Sequence, residues 1–304
     1  MIALDALVDV GRMLRAAGYA FVTVTPETHR RVNAHAPPRA RTLRDVFGWS
    51  RPFAATLLPP AMLARLRDAN AVAEADDALR STVRFSSLGA HLFAHSAYPT
   101  RDADAVFFGP DTYRFCAWIG RRRLRARRAV DVGCGSGAGG IVLGPLAERV
   151  VLADVNDAAL DFARVNTRLA GVDDVDIVKS DVLASVEGDI DLVIANPPYM
   201  KDDLARAYRD GGGALGERLS VRIVEESLSR LAKGGTLLLY TGAAIVDGRD
   251  GFFESVRPLL ERASARATFR YEEIDPDVFG EELDVPAYAA VDRIAAVGLE
   301  VSVA

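Results

Sequence analysis

The stretch LVIANPPYM, Leu192 to Met200, combines groups that could hold a flat acceptor bearing N–H bonds. Its apolar residues predict a buried strand, which ends at Asn196 because the two prolines that follow cannot continue a sheet ladder. The Asn196 side-chain oxygen and the Pro197 carbonyl can each accept a hydrogen bond, and the Tyr199 ring can stack on a planar group. Asn196, Pro197 and Tyr199 are therefore the predicted catalytic residues, and the alternative is a proline-capped strand end.

A glycine-rich turn follows the predicted strand RRAVDVG. The sequence DVGCGSG, Asp131 to Gly137, has the spacing G-x-G-x-G, which permits a tight turn and close approach of a ligand to the backbone. The helix after it offers free N–H groups, and the absence of Gly-Lys-Ser/Thr disfavours a phosphate-binding P-loop. The predicted cofactor-binding residues of this turn are Asp131, Gly133, Cys134, Gly135 and Gly137.

Polar side chains also end the next two predicted strands. Asp154 comes about twenty residues after the turn, where a carboxylate can accept hydrogen bonds from both hydroxyls of a ribose. In KSDVL, Asp181 can accept from an adenine amine and Val182 can pack on the adenine ring. Because the carboxyl ends of parallel strands meet at one edge, these residues and Asn196 predict a single ligand site.

The elements that must position these residues alternate between strand and helix from about residue 127. Such alternation predicts an α/β fold with a doubly wound, mostly parallel, Rossmann-like sheet of seven strands. The stretch SVRIVEESLSRLAKGG predicts a helix, and TLLLYTGA predicts the strand after it. TFRYEEI and AAVDRIAAVGLEVS have no helix between them, so we expect an antiparallel pair at one edge of the sheet.

The first hundred residues lack this alternation. Short helices and a predicted hairpin around Leu88-Gly89 indicate a small helical or winged-helix-like domain over residues 1–104. This domain could act as a lid on a catalytic domain formed by residues 105–304, with YPTRDADAV, Tyr98 to Val106, as the linker.

Composition disfavours several classes of protein. A net charge of −5 argues against a general nucleic-acid binder, although RRRLRARR, Arg121 to Arg128, could contact phosphates. The N-terminus resembles no signal peptide and no apolar run is long enough to span a membrane, so we expect a cytoplasmic protein. Two cysteines provide no disulfide framework, and His91 and His95 lack a third ligand, so no metal site is predicted.

The second half of the chain resembles the class I S-adenosylmethionine (SAM)-dependent methyltransferases. DVGCGSG, ADVN, SDVL and NPPY carry the resemblance in the family's order, over about residues 105 to 303. The N/D-P-P-Y/F branch methylates planar nitrogen, as in protein glutamine N5-methyltransferases and N6-adenine methyltransferases. FFGPDTYRF, Phe107 to Phe115, resembles the segment that covers SAM in the glutamine methyltransferases. The resemblance implies SAM as the cofactor and adds Tyr113, Asn156 and Asn196 to the predicted cofactor-binding residues.

The function implied is transfer of a methyl group from SAM to nitrogen. We expect a small amino, amide or guanidino acceptor, with a protein glutamine or a nucleic-acid base as the alternative. An alternative interpretation is a SAM cyclase of the azetidine-2-carboxylate synthase type, which closes the aminobutyrate chain of SAM onto its own amine and releases methylthioadenosine. In this case Tyr113 and Tyr199 would contact the sulfonium. A third reading is a winged-helix regulator that senses SAM. No oligomeric state follows from the sequence.

Overall fold

The first part of the chain forms short helices and two β-hairpins. The computed structural model describes residues 4–100, 102–202 and 206–304, so residue 101 of the predicted linker lies outside it. The elements are α1 (Leu4–Ala16), α2 (Pro26–Ala34), α3 (Leu43–Phe47), α4 (Pro60–Asp68), β1 (Val72–Ala75), β2 (Ala78–Ser81), β3 (Val83–Leu88) and β4 (His91–Ser96). Leu88 pairs with His91, which confirms the hairpin predicted at Leu88-Gly89. The hairpin of β1 and β2 was not predicted.

The remainder forms a sheet flanked by helices. Its helices are α5 (Pro110–Arg122), α6 (Ala138–Leu143), α7 (Asp157–Ala170), α8 (Arg218–Arg230) and α9 (Gly251–Ala263). Its strands are β5 (Ala126–Val132), β6 (Ala147–Asp154), β7 (Val175–Lys179), β8 (Ile190–Ala195), β9 (Leu231–Val246), β10 (Arg249–Asp250), β11 (Ala267–Asp275) and β12 (Arg293–Val303). Within the described residues, every helix is too short or too polar to span a membrane.

The strand order of the sheet is β11-β12-β9-β8-β5-β6-β7, with the short β10 attached to β9. Neighbouring strands from β9 to β7 pair in parallel, whereas β12 is antiparallel to both β9 and β11. This arrangement confirms the predicted mostly parallel sheet and its antiparallel edge pair. The carboxyl ends of β5, β6, β7 and β8 therefore meet at one edge, where ligands bind in open α/β sheets.

The boundary between α8 and β9 differs from the sequence-based expectation. The helix was predicted to continue to Gly235, but it ends at Arg230, and β9 already begins at Leu231. Leu231 is buried and pairs with Ile190, so burial in the sheet outweighs its helical preference. The Arg230 guanidinium fixes the end of the helix by donating to the Leu183 carbonyl at 3.1 Å.

The N-terminal elements pack on α7 of the sheet region. Leu7 of α1 lies in one apolar cluster with Phe162 and Leu169 of α7. The contact is close, because a Cβ at Gly11 would lie 2.7 Å from the Leu169 side chain. The division into domains at residue 104 stays a prediction, and this shared cluster shows that the two parts are joined by apolar packing.

Candidate active site

The glycine-rich turn between β5 and α6 presents bare backbone to a cavity. Gly133, Gly135 and Gly137 have φ angles of 67°, 52° and 77°, a region that glycine adopts far more readily than other residues. A Cβ at Gly133 or Gly135 would meet no protein atom within 4 Å, and both residues line the cavity. A Cβ at Gly137 would instead lie 3.1 Å from Leu152. Gly133 and Gly135 therefore leave room for a ligand, whereas Gly137 allows close packing of the turn.

Asp131 joins the end of β5 to the first turn of α6. Its buried Oδ2 accepts a hydrogen bond from the Gly140 N–H at 2.8 Å. Burial raises the pKa of Asp131 to about 7, while the Gly140 N–H opposes this shift. The side chain thus holds α6 against the glycine turn, and it also lines the cavity.

Asp154, at the end of β6, ties two backbone segments together. Its Oδ2 accepts from the Gly135 N–H and its Oδ1 from the Asn156 N–H, both at 2.9 Å. Burial raises the pKa of Asp154, and these N–H groups act in the opposite direction. Each carboxylate oxygen keeps a further lone pair for a ligand hydroxyl. Asn156 caps α7 through its Oδ1 and donates from Nδ2 to the Asp104 carbonyl at 2.8 Å.

Asp181 and Val182 follow β7 at the same edge. The two oxygens of Asp181 face Arg222 of α8, with N–O distances of 2.9 and 2.8 Å. Val182 has a φ of 51°, which is strained for a β-branched residue. Ser180 supports this conformation, because its hydroxyl donates to the Val182 carbonyl at 3.0 Å. Both predicted residues line the cavity, but the pairing with Arg222 was not predicted.

Asn196 lines the same cavity just after the end of β8, together with Pro197 and Pro198. Within the described ranges, no hydrogen bond engages the Asn196 side chain, although its neighbours in β8 are buried in the sheet. Asparagine side chains at buried or half-buried positions normally have partners. An uncommitted carboxamide beside the glycine turn is therefore available to a ligand.

Both predicted aromatic residues, Tyr113 and Tyr199, lie outside the cavity lining. The Tyr113 hydroxyl accepts from the Thr23 N–H at 3.0 Å, so it faces the N-terminal part of the chain. The Tyr199 ring packs near Phe279, with ring centroids 6.2 Å apart, and is buried. Their roles in gripping a sulfonium or stacking on an acceptor stay predictions, and this arrangement gives neither ring a place in the cavity wall.

Other residues of the cavity were not predicted from the sequence. Phe107 and Tyr208 stack with ring centroids 5.8 Å apart at an interplanar angle of 8°, and both line the cavity. The backbone continues this wall, because the Ala207 N–H donates to the Ala103 carbonyl at 3.0 Å. The segment before α5 and the segment after the NPPY corner thus meet over the site. Phe107 falls within FFGPDTYRF, so its motif was recognised although the residue was not singled out.

Asn166 of α7 connects the cavity to the N-terminal part. This fully buried side chain accepts from the Ala94 N–H at 2.7 Å and donates to the carbonyls of Ala94 and Ser136, both at 2.9 Å. Ala94 belongs to β4, and Ser136 lies in the glycine turn. One carboxamide therefore holds the hairpin and the turn in a fixed relation, and only the three-dimensional arrangement reveals it.

The comparisons with known proteins agree with this geometry. Residues 120–245 match the family described as Methyltransferase small domain. The release factor glutamine methyltransferase of Deinococcus radiodurans is 33% identical over 208 residues, which cover 63% of this chain and 69% of that protein. The chain belongs to the family of SAM-dependent methyltransferases that includes this enzyme. The predicted resemblance is thereby confirmed.

One further relative and one solved structure are also similar to this methyltransferase. The release factor glutamine methyltransferase of Mycobacterium leprae is 38% identical over 99 residues, which span 31% of this chain and 34% of that protein. The crystal structure of WT Trm5b from Pyrococcus abyssi matches with a TM-score of 0.52 and 16% identity, over 76% of this chain and 62% of that one. That structural likeness concerns the fold alone.

The residues present fit SAM, the cofactor of the family. The bare backbone at Gly133 and Gly135 would accept a bulky ligand that a side chain there would exclude. Asp154 offers carboxylate lone pairs beside that backbone, as ribose hydroxyls require. Cys134, which was predicted to bind the cofactor, also lines the cavity, and burial raises the pKa of its thiol, so it stays neutral.

Proposed function

We propose that this methyltransferase transfers the methyl group of SAM to the side-chain nitrogen of a glutamine in a protein. The observation that carries the proposal is the uncommitted Asn196 carboxamide in the cavity of the glycine turn. Two relatives, the release factor glutamine methyltransferases of Deinococcus radiodurans and Mycobacterium leprae, support this choice of acceptor. They give no support to the small-molecule acceptor expected from the sequence, and the proposal replaces it.

The cofactor would be held by the edge of the sheet. The backbone at Gly133 and Gly135 would lie against it, Asp154 would accept from its ribose hydroxyls, and Val182 would pack on its adenine. When bound, SAM supplies a methyl group that is already activated by a sulfonium. The enzyme therefore has to position the acceptor nitrogen and to exclude water, which can account for most of a rate acceleration of this kind.

The NPPY corner would orient the acceptor. A carboxamide nitrogen is a poor nucleophile because its lone pair is delocalised. The Asn196 Oδ1 and the Pro197 carbonyl can accept its two N–H bonds and so direct the lone pair towards the methyl group. Neither oxygen belongs to a group that titrates near neutral pH, so neither acts as a general base. The methylated nitrogen, which is cationic after the transfer, loses its proton to bulk solvent when the product leaves the site.

The basic run Arg121–Arg128 does little to support a nucleic-acid acceptor. Arg122 pairs with Glu272 and with Glu300, the latter at 3.1 Å. Arg127 pairs with Asp191 at 3.1 Å. These arginines are engaged in the fold of the chain, so fewer of them are available to phosphates.

The N-terminal part, residues 1–104, would contribute to the acceptor site. It packs on α7, and the chain that leaves it carries Phe107 into the wall of the cavity. A protein acceptor is larger than the cavity, so it must contact surfaces outside it. We therefore assign residues 1–104 to a separate domain that helps to bind the acceptor protein.

The test is product analysis with a protein acceptor. The purified chain is incubated with isotopically methyl-labelled SAM and a bacterial release factor, and the label is located by tandem mass spectrometry. We expect one labelled glutamine and an equal amount of adenosylhomocysteine. The matched control is the same release factor with that glutamine replaced by glutamate, which should take up no label.

Three outcomes would contradict the proposal. Label on a nucleic-acid base or on a small amine, in parallel incubations that contain these acceptors in place of the release factor, would assign another acceptor. Methylthioadenosine without label transfer would indicate the SAM cyclase. Tight binding of SAM without any product, with release factor present, would indicate a SAM-sensing regulator.

A further inference from the structure

The Tyr199 ring packs directly against the backbone of β9 at Gly242, and this contact is called the seat of the ring. A Cβ at Gly242 would lie 2.2 Å from Tyr199 Cδ2 and 2.3 Å from Cε2. Such distances lie far inside van der Waals contact, so the ring can hold this place only because Gly242 has no side chain. Among the described residues, the buried Tyr199 hydroxyl has no hydrogen-bond partner. Packing, and not a polar contact, therefore holds the ring.

Two further glycines cover the backbone of the same corner. A Cβ at Gly216 would lie 2.1 Å from the Tyr199 carbonyl oxygen, and one at Gly211 would lie 2.6 Å from that of Pro198. The contact is hydrogen-bonded, since the Gly211 N–H donates to the Met200 carbonyl at 3.0 Å. The segment after the corner, which contains Gly211 and Gly216, thus packs closely against the corner's backbone, and a side chain at either glycine would prevent this packing.

We infer that Tyr199 is a positioning residue, and that its seat on Gly242 sets the orientation of Asn196 and Pro197 in the cavity. Only two prolines separate Asn196 from Tyr199, and each proline fixes its own φ near −65°. A shift of Tyr199 is therefore passed on to Asn196, because the intervening backbone has little freedom to absorb it. This inference rests on the proposed function of the corner.

The alternative role for Tyr199 is stacking on the acceptor. The ring lies outside the cavity lining, whereas Pro197 and Pro198 face the cavity. The ring is thus not part of the wall of the proposed acceptor site. A change at Gly242, which does not line the cavity either, should affect catalysis only if Tyr199 acts through the corner.

The test compares Gly242→Ala, Tyr199→Leu and the double variant. Gly242→Ala should lower kcat at least about tenfold, because a displacement near 1 Å can cost on the order of a hundredfold. The Kd for SAM should stay within about threefold of the wild-type value, because the glycine turn is not disturbed. Leucine occupies less of the seat, so adding Gly242→Ala to Tyr199→Leu should cause little further loss. The matched control is Gly251→Ala, since a Cβ there comes no closer than 3.9 Å to another atom, and it should behave as the wild type.

A second readout needs no acceptor. The Met200 N–H donates to the Arg209 carbonyl and the Gly211 N–H donates to the Met200 carbonyl, so both amides join the corner to the segment that follows it. Their hydrogen exchange should accelerate in Gly242→Ala. A wild-type protein that methylates no glutamine would refute the proposed function. Hydrogen exchange in Gly242→Ala would still test whether the packing of Tyr199 on Gly242 holds the corner in place.

Wild-type kcat and exchange in Gly242→Ala would overturn the inference, as would losses in kcat that simply multiply in the double variant. If Gly242→Ala does not fold, the double variant decides. Recovery of folding supports the seat of Tyr199 on Gly242, and failure to recover overturns it.

Discussion

Replacing Asp154 by alanine should weaken SAM binding without unfolding the protein. In the structure, the carboxylate accepts from the N–H groups of Gly135 and Asn156, both at 2.9 Å, and keeps a lone pair on each oxygen. The variant would lose both proposed bonds to the ribose and would also free the Gly135 N–H. The glycine turn would then be less well ordered for the cofactor.

The size of the effect follows from the number of bonds. A hydrogen bond to a charged group contributes about 1.5 kcal/mol or more. Two such bonds give about 3 kcal/mol, or roughly a hundredfold increase in the Kd for SAM. Asp154→Asn keeps one oxygen acceptor and should lose about half of this, roughly tenfold. Burial raises the pKa of Asp154, so removal of the buried charge should offset part of the stability lost with its two backbone hydrogen bonds.

Isothermal titration calorimetry with SAM and with adenosylhomocysteine measures both variants. The matched control is Asp157→Ala, an acid three residues further along that pairs with Lys179 at 2.7 Å and is 76% exposed. Exposed ion pairs contribute little, so this variant should bind SAM as the wild type does. An Asp154→Ala protein with a Kd within about threefold of the wild-type value would refute the assignment of Asp154 to the ribose.

Three further changes test the surroundings of the site. Asn166→Ala should lower the free energy of unfolding by about 2–4 kcal/mol, because it leaves buried backbone groups unpaired, and SAM affinity should fall as well; unchanged denaturant and calorimetric titrations would contradict this. Burial lowers the pKa of His95, so below pH 6.5 the unfolded chain binds a proton that the folded chain does not. The free energy of unfolding should therefore decrease as the pH is lowered below 6.5. His95→Gln should remove about 1.4 kcal/mol per pH unit of this dependence, and an identical slope would disprove it. Removal of residues 1–104 exposes the apolar face of α7 and should lower the melting temperature; a truncated protein with full stability and activity would contradict both the shared packing and the acceptor role.

The sequence predicted the sheet and the cofactor edge because these depend on local patterns. Gly133, Gly135 and Asp154 are found at strand ends, and parallel strands bring their carboxyl ends together whatever the details of packing. The apolar strand before Asn196 likewise placed its carboxamide at that edge.

The direction of the side chains was harder to predict. Tyr199 turns away from the cavity because Gly242 leaves a seat on β9, and these residues meet only in the folded sheet. The ion pair between Asp181 and Arg222 of α8 and the hydrogen bond between Asn166 and Ala94 likewise join residues that are distant in sequence and come together only in the folded chain. A motif defines which residues come near a site, but long-range packing decides which atoms face it.

Methyl transfer at the NPPY corner is most directly tested by single-turnover kinetics of Asn196→Ala at saturating SAM with the release factor. The side chain has no partner among the described residues, so its removal should leave folding and the Kd for SAM nearly unchanged. The rate of methyl transfer should fall by about a hundredfold or more, because the lost contact orients the nucleophile in the transition state. A parallel loss of SAM affinity would point to the SAM cyclase, and normal affinity with a normal rate would show that the corner is only a proline-capped strand end.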